Sequence, residues 1–300
     1  MQLEELHLVH FKNHSSADLS LGSQVNCFLG DNGSGKTNVL DAVHYLCFCK
    51  SYFNPIDGQN IAHDEPFMLV QGDFERLGKK ERVSCGIQRG AKKQFKRNDK
   101  VYPRLADHIG RFPAVMIAPD DAHLIQGGSE VRRRWMDSVI SQYDRAYLDA
   151  LIDLNKALVQ RNALLRYFAE NRTFDASLLA PWDARMAPKA ALVAKARKDF
   201  VERFVPDFLA TYQEISGGAE IVSLALTTHV SNEASEVEAM MAGAQDEDRR
   251  LRRTTVGVHK DDVVSSLGEH PLKRFGSQGQ QKSFLVALRL AQLSFIEEAT

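Results

Sequence analysis

The eight residues Gly30-Asp31-Asn32-Gly33-Ser34-Gly35-Lys36-Thr37 have the spacing G-x-x-x-x-G-K-[ST]. Each residue type answers a need of polyphosphate chemistry. Glycines let the backbone approach an anion closely and take positive φ angles. Successive N–H groups, followed by a helix N-terminus, present partial positive charge to it. Lys36 is expected to reach the β- and γ-phosphates, and the Thr37 hydroxyl to ligate magnesium. A glycine-rich turn with an exposed lysine is the competing reading, but it leaves the flanks unexplained. An apolar run, Val25 to Leu29, precedes the loop, and a helical pattern of Val39, Leu40, Val43 and Leu46 follows it. The spacing points to a nucleoside triphosphate.

A second pattern lies far along the chain. Gly276-Ser277-Gln278-Gly279-Gln280-Gln281-Lys282 opens an apolar helical run of Phe284, Ala287, Leu288, Ala291 and Phe295. Ser277 suits an N-cap, which would set another helix N-terminus to face an anion; by itself the segment is equally a cap and turn. Between Arg76 and Arg104 stand eleven Lys or Arg against only Glu81 and Asp99. Such an excess on hairpins suits binding of a phosphate backbone, with Lys79, Lys80, Arg89, Lys92, Lys93, Lys96 and Arg97 as candidates. A solvated face is the ordinary alternative. Phe95 and Tyr102 would either stack on bases or sit in the core. Arg132-Arg133-Arg134 reads first as structural and second as a DNA contact; Gln71 reads first as an outward strand residue and second as a magnesium sensor. None of the ten histidines forms ligand spacing such as H-x-x-x-H with carboxylates, so no metal centre is expected of them.

These residues need elements to position them. Leu3 to Val9, Val25 to Leu29, Met68 to Phe74, Arg82 to Arg89 and Val115 to Ala118 read as strands, with turns at Arg89-Gly90-Ala91 and Asn98-Asp99-Lys100. Residues 1–125 thus read as a mixed α/β lobe carrying the loop. Leu148, Leu151, Ile152, Leu158, Val159 and Leu165 then recur at helical spacing, within a stretch free of Gly and Pro from Ser129 to Ala180. A second helical stretch runs from about Lys189 to Phe204 and is expected to stop near Pro206, the two helices joining near Pro181. Residues 126–255 therefore read as a helical lobe or arm. Within them, residues 219–230 alternate as a strand, and Asp246-Glu247-Asp248 with its following arginines reads as a solvated face. Residues 256–300 form a return segment.

Composition sets limits. The 300 residues carry 38 Lys plus Arg and 39 Asp plus Glu, a net charge of −1, so nucleic-acid contact must come from a local patch. At 44% hydrophobic and 26% charged, the chain is not of a disordered class. No run approaches the roughly 20 apolar residues that span a bilayer, and Met-Gln-Leu-Glu-Glu-Leu lacks the layout of a secretion signal. Cys27, Cys47, Cys49 and Cys85 lack C-x-x-C spacing and read as reduced, mostly buried thiols. A soluble cytoplasmic protein with no membrane contact is expected.

The phosphate loop together with Ser277 to Gln281 resembles the paired motifs of ABC-type ATPases, and the whole chain resembles the RecF family, relatives of SMC and Rad50 heads. Phe11-Lys12-Asn13-His14 matches that family's Phe-Arg-Asn-Tyr-like segment beside the nucleotide. Pro119-Asp120-Asp121, Arg132 to Asp137, and Leu158-Val159-Gln160-Arg161-Asn162 resemble further family segments. So does Gly257-Val258-His259-Lys260-Asp261-Asp262, where Val258 departs from a proline. The resemblance implies an ABC-type P-loop ATPase head, a mixed sheet around the P-loop helix with an inserted helical arm. It also implies ATP and Mg2+ as cofactors, with Lys12 and Asn13 near the nucleotide. By the same resemblance, an ATP-closed homodimer would bind single-stranded, gapped or junction DNA, each loop capped by the other subunit's Ser277 to Gln281. RecR and RecO would be partners in recombinase loading, with SOS induction as a further role. The family continues to an apolar strand closing in Asp-Asp. Here 19 residues follow Gln281 and none is Asp, so a fragment or truncated form is expected, in which binding outlasts hydrolysis. A non-hydrolysing ATP-binding adaptor and, further off, a P-loop kinase are the alternatives.

Overall fold

Leu6 and Leu8 are fully shielded from solvent while their neighbours are not, the period-two signature of a half-buried strand, here β1 (Gln2–Phe11). In the computed structural model, which describes residues 1–218 and 220–300, the chain forms two compact units, Met1–Ala114 and Val115–Thr300. In the first unit β1 pairs with β2 (His14–Ser20) and β3 (Phe67–Arg76). The antiparallel sheet continues through β4 (Lys79–Gln88), β5 (Gln94–Arg97) and β6 (Lys100–Val101), in the order β2-β1-β3-β4-β5-β6. One helix, α1 (Lys36–Phe48), lays Val39, Ala42, Tyr45 and Leu46 on the face formed by Leu6, Leu8, Val70, Val83 and Cys85. The approach is closest over Gly72, where an added Cβ would lie 2.6 Å from the Leu46 side chain. Only glycine admits that contact. The expected turn at Asn98-Asp99 joins β5 to β6 with both residues at positive φ (47° and 63°).

Two expected strands are unpaired. Val25 to Leu29 and Val115 to Ala118 join no ladder, and Val25, Leu29 and Ile117 are 84%, 91% and 54% exposed. An apolar run supplies strand propensity, but a strand exists only where a neighbour takes its N–H and C=O groups, and among the described residues none does. Conversely β2, whose only apolar residues are Ala17 and Leu19, escapes a hydrophobic reading because it is an edge strand held by the β1 ladder.

His108 is fully buried beneath α1. One ring nitrogen lies 2.6 Å from the Leu46 carbonyl and the other 3.2 Å from the Tyr102 hydroxyl, with Arg111 and Arg97 nearby. Burial, reinforced by those arginines, pushes its pKa from 6.5 down to about 4, so it is neutral in the fold. The unfolded chain takes up the proton first as pH falls. The stability this group contributes is therefore complete above pH 6.5 and is lost between 6.5 and about 4. The expected loss is about 3 kcal/mol, read as a falling urea midpoint over that range. His108→Gln should flatten that fall; an unchanged slope contradicts the assignment.

The second unit is mainly helical. It begins with α2 (Ala122–Gln126), α3 (Ser129–Tyr143), α4 (Arg145–Asn171) and α5 (Ala176–Ser216). Then follow β7 (Val222–Thr227), α6 (Ala234–Gly243), α7 (Gln245–Leu251), β8 (Asp262–Leu267), β9 (His270–Pro271), α8 (Leu272–Phe275) and α9 (Gln278–Ala299). Helices α4 and α5 fold back on one another, as the apolar periodicity requires. The join lies at residues 172–175, not near Pro181. Helix α5 continues through Pro181, Pro188 and Pro206. Each proline removes one backbone hydrogen bond, but Leu179, Val193, Phe204 and Phe208 are buried on either side of them and hold the helix together. The strand expected over 219–230 appears as β7, with Val222 and Leu224 inward and Ile221 exposed; its expected first residue, Ala219, lies outside the described residues.

Residues 126–255 and 256–300 do not separate. Phe295 of α9 stacks edge-on against Phe200 of α5 at 5.3 Å, Phe284 against Phe208 at 4.8 Å, and β8 pairs with β7. One core serves both, and the boundary falls at residue 114 rather than 125.

Three buried arginines organise this core. Arg161 binds Asp183 and Asp248, both at 2.6 Å. Arg197 binds Asp137 at 2.8 Å and Asp261 at 2.7 Å, and Arg289 binds Asp121. The acidic run expected on a solvated face is therefore divided: Asp246 and Glu247 are at the surface, whereas Asp248 is fully buried between Arg161 and the Thr255 backbone N–H. The structural reading of Arg132-Arg133-Arg134 holds, with Arg132 forked onto Asp262 and Arg133 donating to the Asp261 carbonyl.

Candidate nucleotide-binding site

The phosphate loop belongs to the first unit. Gly30, Gly33 and Gly35 all take positive φ (148°, 82° and 97°), and Gly35 is the N-cap of α1 with no side chain capping that end. The first N–H groups of a helix have no intrahelical acceptors, so an anion is the natural complement here. An added Cβ at Gly33 would meet nothing within 4 Å; at Gly35 it would strike His14 at 2.5 Å and Asn13 at 2.7 Å. The loop is thus open on one side and pressed by the β1–β2 turn on the other.

That turn fixes the loop's shape. Asn13 Nδ2 donates to the Gly33 carbonyl (3.0 Å), its Oδ1 accepts from Asn38 (2.7 Å), and His14 Nε2 lies 3.2 Å from the Gly35 carbonyl. Lys12 does not point a free charge at the loop. Its ammonium is 2.5 Å from Asp41, a fully buried carboxylate that also accepts from Ser51 and the Tyr52 N–H. Lys36 donates to the carbonyls of Gly30 and Asp31, both at 2.7 Å. Those acceptors are neutral, and exchanging them for phosphate oxygens is favourable because charge-assisted hydrogen bonds are about twice as strong. Thr37, Asp31, Asn32 and Ser34 are exposed at the mouth.

The second motif opens α9 in the other unit. Ser277 caps the helix and Gln280 returns the bond, with Ser277 Oγ accepting from Gln280 N–H (3.2 Å) and Gln280 Oε1 from Ser277 N–H (2.7 Å). Gln281 donates to the Gly276 carbonyl and accepts from Gln126. Ser277, Gln278 and Gly279 remain exposed. Glu220 was not legible as part of this segment, yet it accepts from Gln280 Nε2 at 2.8 Å and from the Tyr212 hydroxyl.

The basic run is smaller than its composition. Lys93 is only 13% exposed at its side chain, and its ammonium binds Asp57 at 2.8 Å and the Cys49 carbonyl at 2.6 Å, which removes it from any docking surface. Arg97 pairs with Glu81, Lys80 with Glu4, and Arg89 donates to the Glu65 and Ala62 carbonyls. Phe95 is core, packed on His108. Lys79, Lys92 and Lys96 have no ion-pair partner among the described residues. The counter-charges of the run come from other strands, which a sequence window does not show. Sheet register also gathers Glu5, His7 and Asp73. This group is self-satisfied, since Asp18 and Glu5 hold His7 toward its protonated form and Asp73 pairs with Arg82.

A family model described as an AAA domain matches residues 5–241. The chain is 48% identical over 299 residues to the DNA replication and repair protein RecF of Phocaeicola vulgatus, covering 99% of this chain and 79% of that protein. It is 45% identical over 298 residues to RecF of Flavobacterium johnsoniae, covering 99% and 82%. Among solved structures, the recombination mediator protein RecF-ATPrS in the RecFOR pathway superposes with a TM-score of 0.92 at 25% identity, over 100% of this chain and 82% of that one. An Smc head bound to the C-winged helix domain of ScpA is alike in fold, with a TM-score of 0.53 at 13% identity, covering 98% and 76%. The fold is that of the ABC-type ATPase heads.

Proposed function

The chain belongs to the family of the DNA replication and repair protein RecF, and on that premise we propose that it is an ATP-dependent DNA-binding protein of recombinational repair and replication restart. The observation that carries the reading is the uncapped N-terminus of α1 behind three positive-φ glycines, with Lys36 resting on the loop's own carbonyls. These residues fit a polyphosphate. The backbone N–H groups of Gly33 to Thr37 would hold its anionic oxygens, Lys36 would turn from the Gly30 and Asp31 carbonyls toward them, and Thr37 would offer its hydroxyl to Mg2+. Bound ATP supplies the charged γ-phosphate that a second subunit recognises. Asn13 and His14 keep the loop from collapsing, and Lys12 holds Asp41 beneath it.

The exposed, capped end of α9 suits the recognising surface of that second subunit. Ser277→Arg should leave ATP affinity of the monomer unchanged and reduce ATP-dependent dimerisation at least tenfold. A variant that still dimerises on ATP excludes α9 from the interface.

DNA, single-stranded, gapped or at junctions, is assigned to Lys79, Lys92 and Lys96. Their joint reversal to Glu should weaken binding at least tenfold and reduce the salt slope by about 3; an unmoved slope shows a merely solvated face. RecO and RecR are the expected partners in recombinase loading, with SOS induction downstream and a cytoplasmic location. No helix among the described residues is long and apolar enough to cross a membrane.

A further inference from the structure

Strand β7 lies at the edge of its sheet: β8 takes one side of it, and no strand among the described residues takes the other. The register fixes which groups are left over. The Gly268 N–H donates to the Ile221 carbonyl at 2.7 Å, so the hydrogen-bonded pairs of this antiparallel ladder fall at Ile221, Ser223, Ala225 and Thr227. The N–H and C=O groups of Val222, Leu224 and Leu226 therefore point to the open edge, where none has a hydrogen-bond partner among the described residues. Edge strands are ordinarily protected by a charge, a proline or a bulge. The sequence of β7, Val-Ser-Leu-Ala-Leu-Thr in unbroken register, has none of these.

A groove of about 670 Å3 runs along that edge. Leu224, Ala225 and Leu226 line it in succession while no β8 residue does, which places it on the side away from β8. Its other wall is α5. Leu226 and Val205 are only half-buried there and Pro206 is exposed, so apolar surface stays open to an occupant. Lys198 and Glu202 line the same wall, both exposed, and neither forms an ion pair among the described residues. Four helical residues rise about 6 Å, close to the roughly 6.6 Å between alternate residues of a strand. An acid and a base two residues apart in an extended chain would thus meet both charges. The open edge calls for alternating backbone donors and acceptors at strand spacing, which a polypeptide supplies and a nucleic acid does not. A second copy of β7 fits poorly, because its Val222 and Leu224 side chains are already buried in their own core.

We propose that the open edge of β7 receives an extended segment of a partner protein. The segment adds a strand to the sheet, sets apolar side chains against Val205 and Leu226, and places a carboxylate at Lys198 and an ammonium at Glu202. The phosphate loop takes no part.

The test is fluorescence anisotropy of two fluorescein-labelled peptides, Glu-Thr-Lys-Thr-Val-Thr-Val and its reverse Val-Thr-Val-Thr-Lys-Thr-Glu, titrated with the whole chain. Both are needed because a strand can join β7 parallel or antiparallel. Saturable binding of one is expected. N-methylation of its Thr residues, or instead of its Lys and Val residues, blocks one edge of the peptide at a time, since alternate residues point their N–H groups to opposite edges. One methylated form should bind at least tenfold more weakly and the other within about threefold of the parent. Lys198→Glu with Glu202→Lys, a surface exchange that keeps the net charge, should weaken binding at least tenfold, and exchanging Glu and Lys in the peptide should restore it. Binding of neither peptide, equal effects of the two methylated forms, or indifference to the charge exchange each overturns the proposal, as does a failure of the exchanged peptide to restore binding. A nucleotide-free dimer that the peptide cannot enter also overturns it and reassigns the edge to a second copy.

Discussion

Arg197→Met is expected to lower the stability of the second unit by about 3 to 5 kcal/mol, the cost of leaving buried carboxylates without their counter-ion. Arg197 is 2% exposed and makes four bonds: to Tyr147 Oη (3.1 Å), the Val258 carbonyl (2.7 Å), Asp261 (2.7 Å) and Asp137 (2.8 Å). Burial by itself disfavours its charge, but Tyr147, Asp137 and Asp261 more than offset that, and the guanidinium is held protonated. The physics distinguishes breaking such a network from replacing it. Adding Asp137→Asn and Asp261→Asn to Arg197→Met removes the stranded charges, so the triple variant should regain part of the loss. Urea unfolding measures both. A single variant costing less than about 1 kcal/mol, or a triple variant worse than the sum of its parts, contradicts the network's role.

Lys36→Ala should weaken ATP binding by about a hundredfold while leaving the fold in place. Its ammonium bonds only to two carbonyls of the loop, so little stability depends on it. Toward a polyphosphate the same group would make charge-assisted bonds, each worth about 1.5 to 3 kcal/mol. Equilibrium binding of a fluorescent ATP analogue, with circular dichroism as a fold control, separates the two effects. Unchanged affinity excludes the phosphate-loop assignment.

The loop was legible in the sequence because its requirements are local: glycines where φ must be positive, a lysine and a threonine at fixed offsets, and a helix beginning at once. The same holds for the Ser277 N-cap, to which the structure adds the returning bond of Gln280, a box four residues wide. What escaped depends on register and long-range pairing. Lys93 reads as one more surface cation until β5 and α1 bring it to Asp57 and the Cys49 carbonyl. Asp248 reads as part of a solvated run until α7 carries it to Arg161. Val25 to Leu29 has strand composition but no neighbour to pair with. The segments that carried the family resemblance, among them Asp121, Asp137, Arg161, Asp261 and Asp262, are largely the members of the buried arginine networks, so they report the architecture of the second unit more than its chemistry.

The central claim, a nucleotide-closed DNA-binding head, is tested most directly by sedimentation velocity of this chain with labelled gapped DNA, with and without ATP and Mg2+. The expected result is a monomer without nucleotide and, with ATP, a dimer that carries the DNA. A chain that binds ATP yet sediments as a monomer, with the DNA free at every concentration, contradicts the account.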